Sequence, residues 1–209
     1  PRVTFEENEY KEFLSAIRKC IKLGEIIRGH AISDEFYYFV CIIVHSYLRP
    51  TDREAFALTH KDISPYDDET INLLVTKGKI GFRQSFSTES GSDFYNHLRQ
   101  INNDYTRPNN FLFLPKMENR NHANRTFQRM FNYVLDTHGL KLDQDGQPRT
   151  TYSLRHYALQ TRLNKSGGKV NIYDLARNAG TSVNQLERFY LKRMKAVSYT
   201  HLTLPTNIG

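Results

Sequence analysis

The 209-residue chain lacks the features that mark disulfide-rich, zinc-binding or nucleotide-cradling proteins. Its two cysteines, Cys20 and Cys41, cannot build a disulfide framework and lack the spacing of metal ligands, so we expect buried thiols. The eight histidines include no H-x-x-x-H pair, which argues against a zinc site. No glycine-rich loop that would cradle a phosphate is present. We therefore expect neither a metal ion nor a cofactor.

Long hydrophobic runs are also missing. The longest run of strongly apolar residues, "FVCIIV" at 39–44, is far shorter than the roughly 20 residues that a helix needs to cross a bilayer. The first residues show no signal-peptide pattern. We expect a cytoplasmic protein with no membrane partner.

The composition is that of an ordinary globular protein with a basic balance. Hydrophobic residues make up 39% and charged residues 24% of the chain, as in ordinary soluble proteins. A length of 209 residues allows one good core or at most two small ones. The 29 basic and 22 acidic residues give a formal net charge of +7. This balance favours a polyanionic partner, and charge alone allows either a nucleic acid or an anionic membrane surface.

Both ends of the chain look incomplete. The sequence does not begin with Met and opens within a helical pattern, so we expect an upstream segment. The last thirteen residues, 197–209, contain no Lys, Arg, Asp or Glu and follow a basic stretch abruptly. They are similar to a translated sequencing adapter, which predicts a non-native tail and a missing native C-terminus. The alternative is a genuine threonine-rich tail.

Hydrophobic periodicity and capping signals predict one mostly helical domain of the α+β class over residues 1–196. Residues 70–88 contain two β-rich runs around a Lys/Gly turn, typical of an antiparallel hairpin, with Lys77 at its tip. Helices are expected at 6–23, 35–48, 51–58, 124–140, 151–168, 171–180 and from Ser182 onward.

Arg49 falls in a predicted helix break. Pro50 disfavours helical geometry at Arg49, and the T-x-x-E pattern from Thr51 to Glu54 is typical of a capping box that starts a new helix. A helix N-terminus presents free amides and a positive dipole, so this is a place where an anion would be favoured.

Five segments, taken in order, resemble the motifs of the tyrosine recombinases, the family of phage integrases and Xer proteins. They are "SYLRPTDREAFAL" at 46–58, "LLVTKGK" at 73–79, "TYSLRHYALQTRL" at 151–163, "DLARNAGTS" at 174–182 and "QLERFYLKR" at 185–193. Each segment alone is a weak signal, but five in family order and spacing are strong. The resemblance implies the family's catalytic-domain fold, a helical bundle with a small antiparallel sheet.

The resemblance also implies roles for individual residues. Tyr190 would be the nucleophile that attacks a DNA phosphate, leaving a 3′-phosphotyrosine and a free 5′-hydroxyl without need of ATP. Arg49 and Arg155 would clamp the phosphate with their forked donors. Lys77 would protonate the departing 5′-oxygen. His156 and Asp52 would be supporting residues, with Asp52, at the place of a family glutamate, acting as a structural partner near Arg49.

Two positions depart from the family pattern. Tyr152 and Thr181 stand where the family usually has histidines. Tyrosine is a poor proton acceptor at neutral pH, and threonine only donates or accepts a hydrogen bond. Because a lost general base costs about 10²- to 10⁴-fold in rate, the changes indicate either an active branch with substituted residues or loss of activity.

The implied function is cutting and rejoining of double-stranded DNA by a bacterial or phage-encoded integrase that works as a tetramer and has a further N-terminal DNA-binding domain. One alternative is a non-cleaving DNA-binding relative with an architectural role. Another, resting on charge alone, is an RNA-binding helical module.

Individually, the site residues also have ordinary structural explanations. Tyr190 falls at the i+7 position after Val183 and could be a core aromatic. Arg49, Lys77 and Arg155 could be a surface cation, a turn residue and part of a solvated helix face.

Overall fold

The computed structural model describes residues 3–78, 81–167 and 169–190. The predicted tail at 197–209 and the hairpin residue Lys79 lie outside the described residues. The described α-helices are α1 (Glu7–Leu23), α2 (Asp34–Ser46), α3 (Gly91–Ile101), α4 (Arg120–Thr137), α5 (Tyr152–Lys165), α6 (Ile172–Ala179) and α7 (Val183–Phe189). No helix in these ranges is long and apolar enough to span a bilayer.

The strands form two small antiparallel sheets. β1 (Ile26–Ile27) pairs with β2 (His30–Ala31). The second sheet has the order β3 (Ile63–Pro65), β4 (Ile71–Gly78) and β5 (Gly81–Phe86). The predicted hairpin is therefore present, and the expected α+β class with a small antiparallel sheet is confirmed.

The alternation of β5 sends a charged side chain into the protein interior. Val75 on β4 pairs with Arg83 on β5, and Leu73 pairs with Ser85. All four side chains are buried, because the inner face of this sheet packs on the domain. An arginine at such a position needs acceptors inside the fold.

Two apolar clusters hold the helices in place. The larger one joins α1, α2 and α4 through closely packed rings that include Phe13, Phe39 and Phe131. The smaller cluster joins α5, α6 and α7. Tyr190 and Leu186 belong to this second cluster, so the segment that carries Tyr190 is anchored by burial of its own side chains.

The prediction of a helix at 51–58 is wrong. This segment contains only a 3₁₀ turn at Ala55–Ala57. The Glu54 amide donates to the Thr51 carbonyl, and the Glu54 carboxylate binds two arginines instead of completing a capping box. Tertiary ion pairs therefore replaced the local capping interaction that the sequence pattern indicated.

Candidate functional site

Three arginines from distant parts of the chain donate hydrogen bonds to the last two carbonyl groups of α6 and to the carbonyl of the residue that follows it, Gly180. The pairs are Arg83 with Asn178 at 3.4 Å, Arg155 with Ala179 at 2.6 Å, and Arg49 with Gly180. The C-terminus of a helix carries partial negative charge and unsatisfied carbonyls, so cationic donors are favoured there. The end of α6 thus gathers three guanidinium groups in one place.

Glu54 connects two of these arginines. Its carboxylate lies 3.0 Å from Arg49 Nη1 and 2.6 Å from Arg83 Nη2, and its side chain is 1% exposed. It also accepts the Arg49 backbone N–H at 2.8 Å. One carboxylate among three guanidinium groups leaves the cluster with excess positive charge, which favours a bound anion.

Gly180 allows the close approach of Arg83 to the helix end. Its φ of +63° lies in the left-handed region, where glycine ends a helix without strain. An added Cβ would lie 2.5 Å from Arg83 Nε, which real side chains do not tolerate. Gly180 therefore serves both the termination of α6 and the packing of the arginine cluster.

Burial lowers the pKa of two of these arginines, Arg155 and Arg83. It lowers the pKa of Arg155 to about 10, with a further lowering from nearby Arg49. Arg155 remains protonated at neutral pH and also donates to the Tyr47 carbonyl. Arg83 Nη1 is buried with no hydrogen-bond partner in the part of the chain that the structure describes.

Tyr190 lies immediately after α7 and turns its hydroxyl toward α5. Its oxygen is 2.5 Å from His156 Nδ1, and the two ring centroids are 6.0 Å apart. The Tyr190 side chain is buried, which agrees with its helical periodicity, but its polar end faces a histidine. Tyr190 is therefore both a core aromatic and a hydroxyl held in a polar contact.

A pocket of about 510 Å³ opens beside this pair, bordered by Leu159, Gln185 and Phe189 as well as by predicted site residues. The predicted residues that line it are Arg49, Tyr152, Arg155, His156, Thr181 and Tyr190. The chain therefore brings together two guanidinium groups, an imidazole and phenolic hydroxyls at one concave surface. Such a surface can bind an anion and present a nucleophile to it.

Two predicted residues lie elsewhere. Lys77 is an exposed residue of β4 and is not among the residues that line the pocket. Its neighbour Gly78 lies against the cluster, because a Cβ added there would be 3.2 Å from Glu54 Oε2. The expected role of Asp52 as structural partner of Arg49 belongs instead to Glu54, whose backbone turn brings its carboxylate to the arginine.

Sequence reasoning missed Glu54 and Arg83. Glu54 lay in the T-x-x-E pattern and was interpreted as a helix cap. Arg83 was on a predicted strand, and its position on the same face as Ser85 gave no sign that the face was buried. The ion pair between Glu54 and Arg83 spans 29 positions, so local pattern carried no information about it.

Across residues 3–78, 81–167 and 169–190, no three His, Cys, Asp or Glu side chains are grouped as a metal site would need.

Neither a protein-family model nor a curated protein matches the sequence. The fold, however, matches solved structures. The XerA recombinase superposes with a TM-score of 0.63 and 17% identity, covering 90% of this chain and 60% of that one. The chain has the fold of a tyrosine-recombinase catalytic domain.

Two further structures with this tyrosine-recombinase fold support the comparison. XerH bound to its difH substrate, in a pre-cleavage complex, gives a TM-score of 0.62 at 16% identity, over 90% of this chain and 50% of that one. The catalytic domain of bacteriophage HP1 integrase gives 0.57 at 16% identity, over 90% and 87%. The chain thus spans about half of XerH, three fifths of XerA and most of the isolated HP1 domain.

Proposed function

We propose that the chain is the catalytic domain of a site-specific recombinase that cuts and rejoins double-stranded DNA through a 3′-phosphotyrosine intermediate. The observation that carries this proposal is the meeting of Arg49, Arg155 and Tyr190 at one pocket. Arg49 lies more than a hundred positions before Arg155 in the sequence, yet both line the same pocket as Tyr190.

The arginines supply the phosphate site. Arg155 is fixed by two backbone carbonyls and Arg49 by Glu54 and Gly180, so both guanidinium groups are held in place before an anion binds. Preorganised donors stabilise the charge that builds on the non-bridging oxygens of a phosphate under attack. Removal of one such donor typically costs about 10²- to 10³-fold in rate.

Tyr190 supplies the nucleophile in this proposal. Its phenolic oxygen gives up its proton to a base and forms a bond to the phosphorus, while the bond from phosphorus to the 5′-oxygen breaks and the 5′-oxygen takes up a separate proton. Lys77 is the proposed donor of that proton. The position of the backbone supports this assignment: a Cβ added at Gly78, the next residue of β4, would be 3.2 Å from Glu54 Oε2, so this end of β4 lies beside the arginine cluster.

The partner in this proposal is duplex DNA, bound mostly through its phosphates, with the complete protein acting as a tetramer. XerH and the Tn1549 transposon integrase have both been solved with DNA. The basic balance of the chain is compatible with such a ligand.

Covalent trapping tests the proposal. The protein is incubated with a pool of nicked duplexes of randomised sequence. When it cleaves near a nick, the short strand that is released diffuses away, and the protein stays covalently joined to the remaining DNA. Denaturing gels detect the adduct, and mass spectrometry assigns the linked peptide. We expect the adduct at Tyr190 in the parent protein and none in Tyr190→Phe.

Tyr173→Phe is the matched control, since Tyr173 is an exposed tyrosine on α6, outside the pocket lining. It should trap as much DNA as the parent. A parent that binds the duplexes without forming an adduct would indicate the non-cleaving relative. An adduct that persists in Tyr190→Phe would exclude Tyr190 as the nucleophile.

A further inference from the structure

The contact between His156 and Tyr190 joins two elements at the reacting atom. His156 lies on α5, one residue after Arg155, and Tyr190 follows α7. The distance of 2.5 Å between His156 Nδ1 and the phenolic oxygen is that of a short hydrogen bond. When the imidazole proton resides on Nε2, Nδ1 is the acceptor and the tyrosine hydroxyl is the donor.

The other polar residues of the pocket are poorly suited to accept this proton. Tyr152 occupies the position where the resemblance implied a histidine, but it is 38% exposed and a phenol is a weak base at neutral pH. Thr181 offers only a hydroxyl. His156 is the only imidazole among the described residues that line the pocket.

We propose that His156 is the general base of the reaction, a role for which Tyr152, at the position where the resemblance implies a histidine, is unsuited. This inference rests on the proposed function and assigns His156 a catalytic role instead of the supporting one expected from sequence. As the phenolic oxygen of Tyr190 bonds to phosphorus, its proton moves to His156 Nδ1. The departing 5′-oxygen receives a separate proton, and the arginines keep their charge throughout.

The chemistry of the pair can be measured without DNA. A small aryl sulfonyl fluoride reacts with a tyrosine when the phenolic oxygen bonds to sulfur, fluoride leaves and the phenol loses its proton to a base. Peptide mass spectrometry then gives a labelling rate for each tyrosine. Exposed Tyr173 serves as an internal reference in every sample.

The informative variant is His156→Asn. The asparagine amide can occupy the place of Nδ1 and keep a hydrogen bond to Tyr190, but it cannot take up a proton. We expect labelling of Tyr190 to fall about 10²-fold relative to the parent, the lower range for loss of a general base, with Tyr173 unchanged. In His156→Ala, added imidazole should restore much of the lost rate, a response that a purely structural histidine would not give.

Equal labelling of Tyr190 in parent and His156→Asn would overturn the inference, as would a parent in which Tyr190 is not labelled. Urea denaturation of both variants establishes that each is folded. If His156→Asn does not fold, the imidazole response of His156→Ala decides the question alone, and absence of rescue counts against the inference.

The DNA experiment separates this inference from the proposed function. If the parent forms the Tyr190 adduct and His156→Asn forms it at the same rate, the function stands and the role of His156 fails. If labelling of Tyr190 depends on His156 but the parent never forms an adduct with DNA, the proton-accepting pair stands and the proposed function fails.

Discussion

At the scale of single residues, Glu54 is a position where one substitution should lower the stability of the fold strongly. Its buried carboxylate binds Arg49 and Arg83, so Glu54→Gln keeps the shape of the side chain but leaves two guanidinium groups without their counter-ion. Removing one partner of a buried ion pair typically costs about 3–5 kcal/mol. We expect the free energy of unfolding, measured by urea denaturation, to fall by that amount.

Asp52→Asn is the matched control for Glu54→Gln. It removes the same charge two positions earlier. In the part of the chain that the structure describes, Asp52 forms no ion pair with Arg49. Its effect on the free energy of unfolding should stay within about 0.5 kcal/mol. Equal losses in the two variants would show that Glu54 does not hold the arginine cluster together.

Gly180 offers a second test at this scale. In Gly180→Ala the new Cβ both strains a left-handed backbone and collides with Arg83, whereas in Gly139→Ala the φ is similar, +68°, and nothing lies within 4 Å. The strain alone costs about 1–2 kcal/mol. We expect Gly180→Ala to lose clearly more unfolding free energy than Gly139→Ala in the same denaturation measurement. Matching losses would mean that Arg83 moves aside without cost.

The site was partly predictable at this scale. Arg49, Arg155 and Tyr190 belong to segments whose order and spacing resemble one family, so their roles could be proposed before their positions were known. Glu54 and Arg83 could not be chosen in this way. Glu54 binds Arg49, which is 5 positions away, and Arg83, which is 29 positions away. The contact with Arg83 depends on how β5 packs against the end of α6.

At the scale of elements, His45 links the last turn of α2 to the segment before α3. Its Nδ1 lies 2.6 Å from Thr88 Oγ1 and 3.0 Å from the Glu89 carbonyl. Burial lowers the pKa of His45 below the ordinary value of 6.5. Below that pH the unfolded chain therefore binds more protons than the folded one, and the free energy of unfolding falls as the pH decreases.

We expect denaturation curves measured between about pH 7 and pH 5 to show this loss, and His45→Gln to flatten it. Some dependence should remain, because burial also lowers the pKa of His60. His122→Gln, on the exposed side of α4, is the matched control for the substitution. An unchanged slope in His45→Gln would show that this contact does not couple folding to protonation.

The elements themselves were predictable to different degrees. α1 was predicted from its apolar periodicity, and its capping box of Glu6 and Glu9 is seen only in the structure. The helix that starts after Ser182 was predicted from its capping residue, and Ser182 does accept a hydrogen bond from the Gln185 amide. By contrast, α3 was missed. It begins after Ser90, which is in a left-handed conformation and makes no side-chain cap, so the helix does not start through the capping interaction on which the sequence prediction relies.

At the scale of the whole molecule, the arrangement of charge matters more than its total. A formal charge of +7 is compatible with many partners, but the arginine cluster holds three cations near a single carboxylate and places two of them, Arg49 and Arg155, at one pocket. Guanidinium groups held together in this way suit a phosphate group. Binding should respond differently to salt and to strand type depending on whether the partner is duplex DNA, RNA or an anionic surface.

Binding to a fluorescently labelled random-sequence duplex, measured by anisotropy across a potassium chloride series, separates these partners. Release of counterions predicts that the logarithm of the association constant falls linearly with the logarithm of salt, by about 0.9 per phosphate contact. For about six contacts this is a loss of about 10³-fold between 50 and 200 mM salt. A peptide nucleic acid duplex of the same sequence, which has no backbone charge, should not bind. A slope near zero would contradict phosphate recognition, and tighter binding of the matching single-stranded RNA would favour the RNA-binding alternative.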